Sequence, residues 1–168
     1  MSELPRVSDV LKILYPNSLD HVPQDALERG TRLHTYMECW ANNRIYGYEG
    51  ENFIPDECRP AVDWLIENGI ELQATEEHCV SKLGYCGHPD LLAKWKGVDY
   101  WIDYKFSQAI TEQNLMQGAA YCDLTGRKGL FLRCGKDGSV NPVKCKSDPT
   151  LWVAFLSGLN VAKFHRRG

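Results

Sequence analysis

Asp90, Asp103 and Lys105 are the residues whose types and spacing point to chemistry. Asp90 opens one strand-like segment and Asp103 lies late in the next. Between them stands a short polar turn, Lys96-Gly97-Val98-Asp99. A hairpin folded near Gly97 brings both aspartates to one end of a sheet. Two carboxylates held there repel each other and are costly to bury without a cation. A hard divalent cation removes the conflict, and oxygen ligands of this kind suit Mg²⁺ or Mn²⁺. Lys105 stands one strand period from Asp103 and so points at the same place. A lysine beside an activated water can orient that water and offset charge on a phosphate group. Together the three residues suggest phosphodiester hydrolysis. An Asp-x-Lys triplet alone leaves a plainer alternative, in which Asp90 caps a turn and Lys105 lays its stem beside Trp101 and Phe106.

The elements that must position these residues are legible from periodicity. Residues 5–14 suggest a short helix or docking arm ending at Tyr15-Pro16, followed by a loop at 17–22. A helix begins near Pro23, with Ala26, Gly30, Leu33, Met37 and Ala41 as its buried stripe. His34 falls at the edge of that stripe. A Gly- and acid-containing loop at 47–56 leads to a helix at about 57–67 that stops at Asn68-Gly69. Three strand-like segments follow, at about 70–83, 88–96 and 100–107. The next helix, about 111–124, stops at Gly126, with Gln113, Gln117 and Tyr121 along one stripe. Strands are expected at 129–134 and 142–146. Asp148 and Pro149 then start a last helix, with Trp152, Phe155, Leu156 and Leu159 on its buried stripe. This order predicts an α/β sandwich around a mixed sheet.

The chain's 168 residues suffice for one domain with a sizeable core. No window approaches the roughly 18 apolar residues of a membrane span, and the first ten residues lack a secretory pattern. The formal charge of −3 gives no global signal for nucleic acid, so such a partner needs a local basic groove. Arg32, Arg127, Lys128, Arg166 and Arg167 are among the candidates to line one, or else belong to a solvated surface. The seven cysteines include no Cys-x-x-Cys, which is consistent with reduced thiols in a cytosol-like compartment. His78, Cys79, Cys86 and His88 could meet across a turn and hold zinc, but their spacing fits no familiar zinc pattern.

At this point the sequence resembles a family. Pro89-Asp90, twelve residues, then Asp103-Tyr104-Lys105 looks like the PD-(D/E)xK nuclease signature. GTRLHTYME at 30–38 resembles the Gly-x-x-x-His helix of the RecB-like branch. LGYCGHPDLLAKW at 83–95 resembles that branch's Gly-Tyr-x-Gly-x-x-Asp strand entry, and Gln117-x-x-x-Tyr121 its downstream helix motif. The ordered set spans about residues 22–135. The N-terminal PRVSDVLKILYP is also similar to the start of small phage-type and mitochondrial genome-maintenance-type exonucleases.

The resemblance implies a restriction-endonuclease-like αβββαβ core, with a mixed central sheet flanked by helices. It implies a single nuclease domain over 1–168, with its core at about 22–135, an N-terminal arm at 1–21 and a C-terminal strand and helix at 140–168. Asp90 and Asp103 would be metal ligands, joined by the carbonyl of Tyr104. Lys105 would orient or activate water, and His34 would approach the metal from its helix. Gln117 and Tyr121 would touch DNA or brace the lysine, and Arg32 would contact DNA. Glu77, with Glu76 as the second choice, would be the acid contributed by the first strand.

The activity implied is a Mg²⁺- or Mn²⁺-dependent deoxyribonuclease, most simply an exonuclease in replication, recombination or DNA processing. Its expected substrate is DNA with single-stranded ends, and its expected location the cytoplasm, the bacterial host's if the chain is phage-encoded. A structure-specific endonuclease, or an idle DNA-binding subunit of a larger complex, is the alternative. The complete Asp90, Asp103, Lys105 set speaks against the idle subunit. Branch members with an iron–sulfur cluster carry a cysteine ahead of the His helix and three close together near the C-terminus. Cys39 is the first here, and Cys134 and Cys145 stand apart, so no cluster is expected. No helicase motif is present, so unwinding would need a helicase or recombination partner.

Overall fold

A computed structural model of the chain describes residues 3–20, 22–48 and 53–166. Arg167 and residues 49–52 of the expected 47–56 loop lie outside them. The elements run α1 (Val7–Leu14), α2 (Gln24–Tyr46), α3 (Arg59–Glu67), β1 (Glu71–Thr75), β2 (Cys79–Val80), β3 (Cys86–Gly87), β4 (Leu91–Trp95) and β5 (Val98–Lys105). They continue with α4 (Glu112–Thr125), β6 (Lys128–Cys134), β7 (Val140–Lys144) and α5 (Pro149–His165). Five strands form one sheet in the order β1-β4-β5-β6-β7, and β2 pairs with β3 apart from it. Within the five-stranded sheet β5 and β6 run parallel and the other neighbours antiparallel. The sheet is therefore mixed and flanked by helices, a restriction-endonuclease-like architecture.

The β4–β5 hairpin follows directly from its turn. Trp95 pairs with Val98, so Lys96 and Gly97 are the two central residues, with φ of 50° and 77°. Two left-handed residues match the right-handed twist of the flanking strands. That register fixes which residues share a face. Tyr100, Ile102 and Tyr104 pack with Leu33, Met37 and Trp40 of α2 and with Ala61 and Leu65 of α3. Trp101 packs on the opposite face against α1, α4 and α5, with Phe131, Tyr121 and Phe155. By alternation, Asp103 and Lys105 fall on that second face, beneath α4.

Helix termini follow their local signals. Thr111 caps α4, its hydroxyl accepting from the Asn114 amide while the Asn114 side chain accepts from the Thr111 amide. Gly126 ends that helix at φ 65°. Asp148 accepts from the amides of Thr150 and Leu151 at the start of α5.

Some expectations need correction. The segment expected as a strand over 70–83 breaks after Thr75, where Glu76 takes a φ of 48°, and only Cys79–Val80 resumes pairing. The last strand lies at Val140–Lys144 rather than 142–146. In α2, Ala26 is exposed and Gly30 only half-buried, because the first turns stand off the sheet; Leu33, Met37, Trp40 and Ala41 carry the contact. Among the described residues no helix is long and apolar enough to cross a membrane.

One packing contact predicts a stability effect. A Cβ added at Gly129 would lie 2.1 Å from Trp101 Cζ2 and 2.6 Å from Cys145 Cβ. Trp101 is fully buried and has nowhere to move. Gly129→Ala is expected to destabilise the fold by at least about 1–3 kcal/mol. Chemical denaturation measures it, and an unchanged midpoint would contradict this packing.

Candidate active site

The site lies at the end of the sheet where β4 begins and β5 ends. Asp90 precedes β4 and its Oδ2 accepts from the Tyr104 amide at 2.8 Å. This bond ties the two strands together and holds the carboxylate over β5. His34 approaches from α2. Its Nδ1 lies 2.8 Å from the Gly30 carbonyl, one turn back, and its Nε2 lies 2.8 Å from the Tyr104 carbonyl. Nε2 is also 3.3 Å from Asp90 Oδ2. Both ring nitrogens therefore face carbonyl oxygens and the ring is doubly protonated. Burial alone would lower its pKa, but the hydrogen bond and charge of Asp90 outweigh it and push it up to about 9.

Asp103 is buried, and its neighbour Lys105 holds Nζ 2.5 Å from its Oδ2. The contact is a close ion pair off the hydrogen-bonding direction, because Oδ2 has no hydrogen-bond partner. Burial and the charge of Asp90 push the Asp103 carboxyl up, against the opposing pull of Lys105. Lys105 moves up as well: burial works against its charge, and Asp103 and Asp90 more than restore it. The lysine therefore stays an ammonium. Its Nζ also donates to Gln117 Oε1 at 3.0 Å and sits 5.9 Å from the centre of the Phe131 ring.

Helix α4 supplies the brace. Gln117 Nε2 reaches Asp103 Oδ1 at 3.4 Å and the Tyr121 hydroxyl at 3.3 Å, and that hydroxyl donates to the His88 carbonyl at 3.1 Å. One chain of polar contacts thus runs from the residue before Pro89 to Lys105. Gln117→Ala removes a hydrogen bond to a charged group worth about 1.5–3 kcal/mol. Any turnover supported by Lys105 is expected to fall about 10- to 100-fold in kcat, with little change in KM. Gln117→Glu, which keeps an acceptor, should recover part of it. Equal kcat for wild type and Gln117→Ala would contradict the brace.

The structure puts Glu76, not Glu77, beside the two aspartates. Leu72 pairs with Ala93 but Ala74 with Leu92, so β1 bulges at Gln73 and its register shifts before Thr75. Glu76 then turns toward Asp90, whose carbonyl accepts from its amide at 3.3 Å. Its carboxyl remains open to water. Even so, lost hydration and then repulsion from Asp90 and Glu38 push its pKa up to about 7. A cleft of about 460 Å³ runs from here along α2, past Gly30, Thr31, His34 and Glu38. Glu38 stands one helical turn after His34, as the helix periodicity places it, whereas Phe131 belongs to no motif and only the strand register reveals it.

Other expected residues fall elsewhere. Arg32 is exposed on α2. Arg127 is engaged with Gln73 and near Asp99, and Arg166 with Asp9, so neither is a free cation for a groove. The His78 and His88 rings lie together, with Nδ1 and Nε2 3.1 Å apart. Cys86, however, is buried and directs its thiol to the Leu4 carbonyl. Among the described residues no three His, Cys, Asp or Glu side chains converge as a complete metal group. What does converge is the His34 ring, one oxygen of Asp90 and the Tyr104 carbonyl. Nε2 lies within 2.8 Å of the Tyr104 carbonyl oxygen and 3.3 Å of Asp90 Oδ2. Asp103 Oδ2, buried and without a hydrogen bond, stands next to them. An oxygen-rich set of this kind fits a hard divalent cation.

The restriction-endonuclease-like fold that the resemblance implied is shared with solved exonuclease structures. Among solved structures, an alkaline exonuclease from Laribacter hongkongensis superposes with a TM-score of 0.57 at 13% identity, over 96% of this chain and 87% of that one. Its complex with dAMP gives 0.57 at 14% identity, over 98% and 88%. A phage-related exonuclease from Haemophilus somnus gives 0.50 at 12% identity, over 99% and 94%. No protein-family model matches the sequence, and no curated protein does.

Proposed function

We propose that the chain is a divalent-metal-dependent DNA exonuclease, a single nuclease unit of the RecB-like kind that trims DNA in replication, recombination or DNA processing. The observation that carries this reading is the pairing of two spatially linked carboxylates, Asp90 and Asp103, with a buried, charged Lys105 at one end of the sheet. The fold shared with exonucleases supports it, as does the dAMP complex of one of them. Asp90, His34 and the Tyr104 carbonyl would hold Mg²⁺ or Mn²⁺, with Asp103 and Glu76 completing the set. When bound, such a cation offsets charge developing on the phosphate and acidifies water.

The chain's own groups account for the rest. Because Lys105 stays charged, it acts as a donor rather than a base. Its Nζ–H groups orient the attacking water and stabilise charge on the phosphate, at the point where Asp103 and Gln117 hold it. Loss of the His34 Nε2 proton to solvent would free that ring nitrogen and the Tyr104 carbonyl together, so cation binding there would release a proton. Arg32, on the exposed face of α2 before His34, is placed to meet the backbone of an incoming strand.

Digestion of end-labelled linear DNA beside circular DNA, single- and double-stranded, tests the reading. Metal-dependent loss of the linear forms alone is the expected result. Cutting of circles would replace the exonuclease with an endonuclease. Intact DNA in every lane with folded protein would leave a binding subunit.

A further inference from the structure

The opposite side of α4 from its polar chain carries a second cluster. Cys122 follows Tyr121 directly and faces a cleft of about 470 Å³, which Cys145, Arg127, Lys128, Lys146 and Trp152 also line. The Cys145 thiol sits against Gly118, one helical turn before Cys122, so the two thiols are neighbours at the wall of this cleft. Both are half-buried, so each is packed in place yet open to small solutes.

The room for this contact is built into the chain. A Cβ at Gly118 would lie 2.6 Å from Cys145 Sγ, and one at Gly129 would lie 2.6 Å from Cys145 Cβ. Two glycines, one on α4 and one on β6, thus leave the space that Cys145 occupies. Its amide donates to the Gly129 carbonyl at 2.9 Å, which fixes the backbone beyond β7.

We propose that Cys122 and Cys145 form a reversible disulfide when the protein meets a hydroperoxide, tying α4 to the segment after β7. Cys122 is the attacking sulfur. The Cys145 thiol, opposed by burial and helped by Trp101 Nε1–H at 3.4 Å, holds the Cys122 thiol below its ordinary range. The carboxylates at the cleft are already engaged: Asp123 accepts from Ser81 and Tyr85, and Asp148 caps α5.

In the first step the Cys122 thiolate attacks one peroxide oxygen. The S–O bond forms, the O–O bond breaks, and hydroxide leaves and takes up a proton as water. In the second step Cys145 sulfur attacks the Cys122 sulfenic sulfur. The S–S bond forms, the S–O bond breaks, and a second water leaves with the Cys145 proton. Two thiols lose two electrons in total, and the peroxide is reduced to two waters.

This inference stands apart from the nuclease reading and is tested without DNA. The folded, reduced protein is treated with hydrogen peroxide, alkylated and mapped by non-reducing peptide mass spectrometry. Loss of two of the seven thiols, a linked Cys122–Cys145 peptide and full reversal by dithiothreitol are expected. Cys122→Ser and Cys145→Ser should each abolish the linked peptide. A link between other cysteines, or Cys122 carried on to sulfinic acid with Cys145 still free, would overturn the proposal. So would seven titratable thiols after a dose that oxidises free cysteine.

Discussion

Lys105→Ala is expected to lower DNA cleavage by at least about a hundredfold, and by up to about 10⁴-fold, while leaving divalent-cation binding in place. The reason is the position of one atom. Lys105 Nζ lies between Asp103 and Gln117, so an ammonium with three donors has at least one to offer a water or phosphate oxygen. No other cation among the site's described contacts reaches this point. Removing the lysine also leaves Asp103 buried beside Asp90, at a cost of about 3–5 kcal/mol if the carboxylate stays charged. Folding therefore has to be followed in parallel. Lys105→Met keeps a long stem against Phe131 and removes only the charge. If both variants melt cooperatively, still gain thermal stability from Mn²⁺, and yet cut no DNA, the role argued for Lys105 holds. A folded Lys105→Met variant with wild-type turnover would remove it.

Asp90→Asn is expected to remove both cleavage and the response to metal. Its Oδ2 bonds the Tyr104 amide and faces His34 Nε2. Asparagine can still accept from that amide, so the hairpin should keep its register. What goes is the negative charge that favours a cation. A ligand at 100 times its Kd stabilises a fold by about 2.7 kcal/mol, a rise of about 5–10 °C in Tm for a chain of this size. Wild type should show such a rise with Mg²⁺ or Mn²⁺, and Asp90→Asn little or none. Cleavage should fall at least about 10²–10³-fold. A full thermal response in Asp90→Asn would move the metal away from this carboxylate.

Much of this geometry is visible in the residue pattern because it is local. Lys96-Gly97 sets a two-residue turn, the turn sets the β4–β5 register, and period two puts Lys105 on the face of Asp103. Thr111, Gly126 and Asp148 mark helix ends with their own side chains or absence of one. Gly30 and His34 stand one helical turn apart, so their contact too is local. What escapes the sequence depends on distant partners. The bulge at Gln73 exists only against β4, and it decides that Glu76 rather than Glu77 turns to the aspartates. The Tyr104 carbonyl meets His34 across 70 residues. Ala26 looks like part of a buried stripe, but α2 overshoots the sheet that would cover it. The contact of Cys122 with Cys145 needs α4 laid over the end of β7, and no spacing rule anticipates that.

One assay tests the central claim most directly. Linear double-stranded DNA, labelled at one end, is incubated with the purified chain in Mn²⁺ and, separately, in EDTA. Release of labelled nucleotide in Mn²⁺ alone is the result this account predicts. DNA left intact in Mn²⁺ by a folded, metal-stabilised protein, or degraded equally in EDTA, would contradict it.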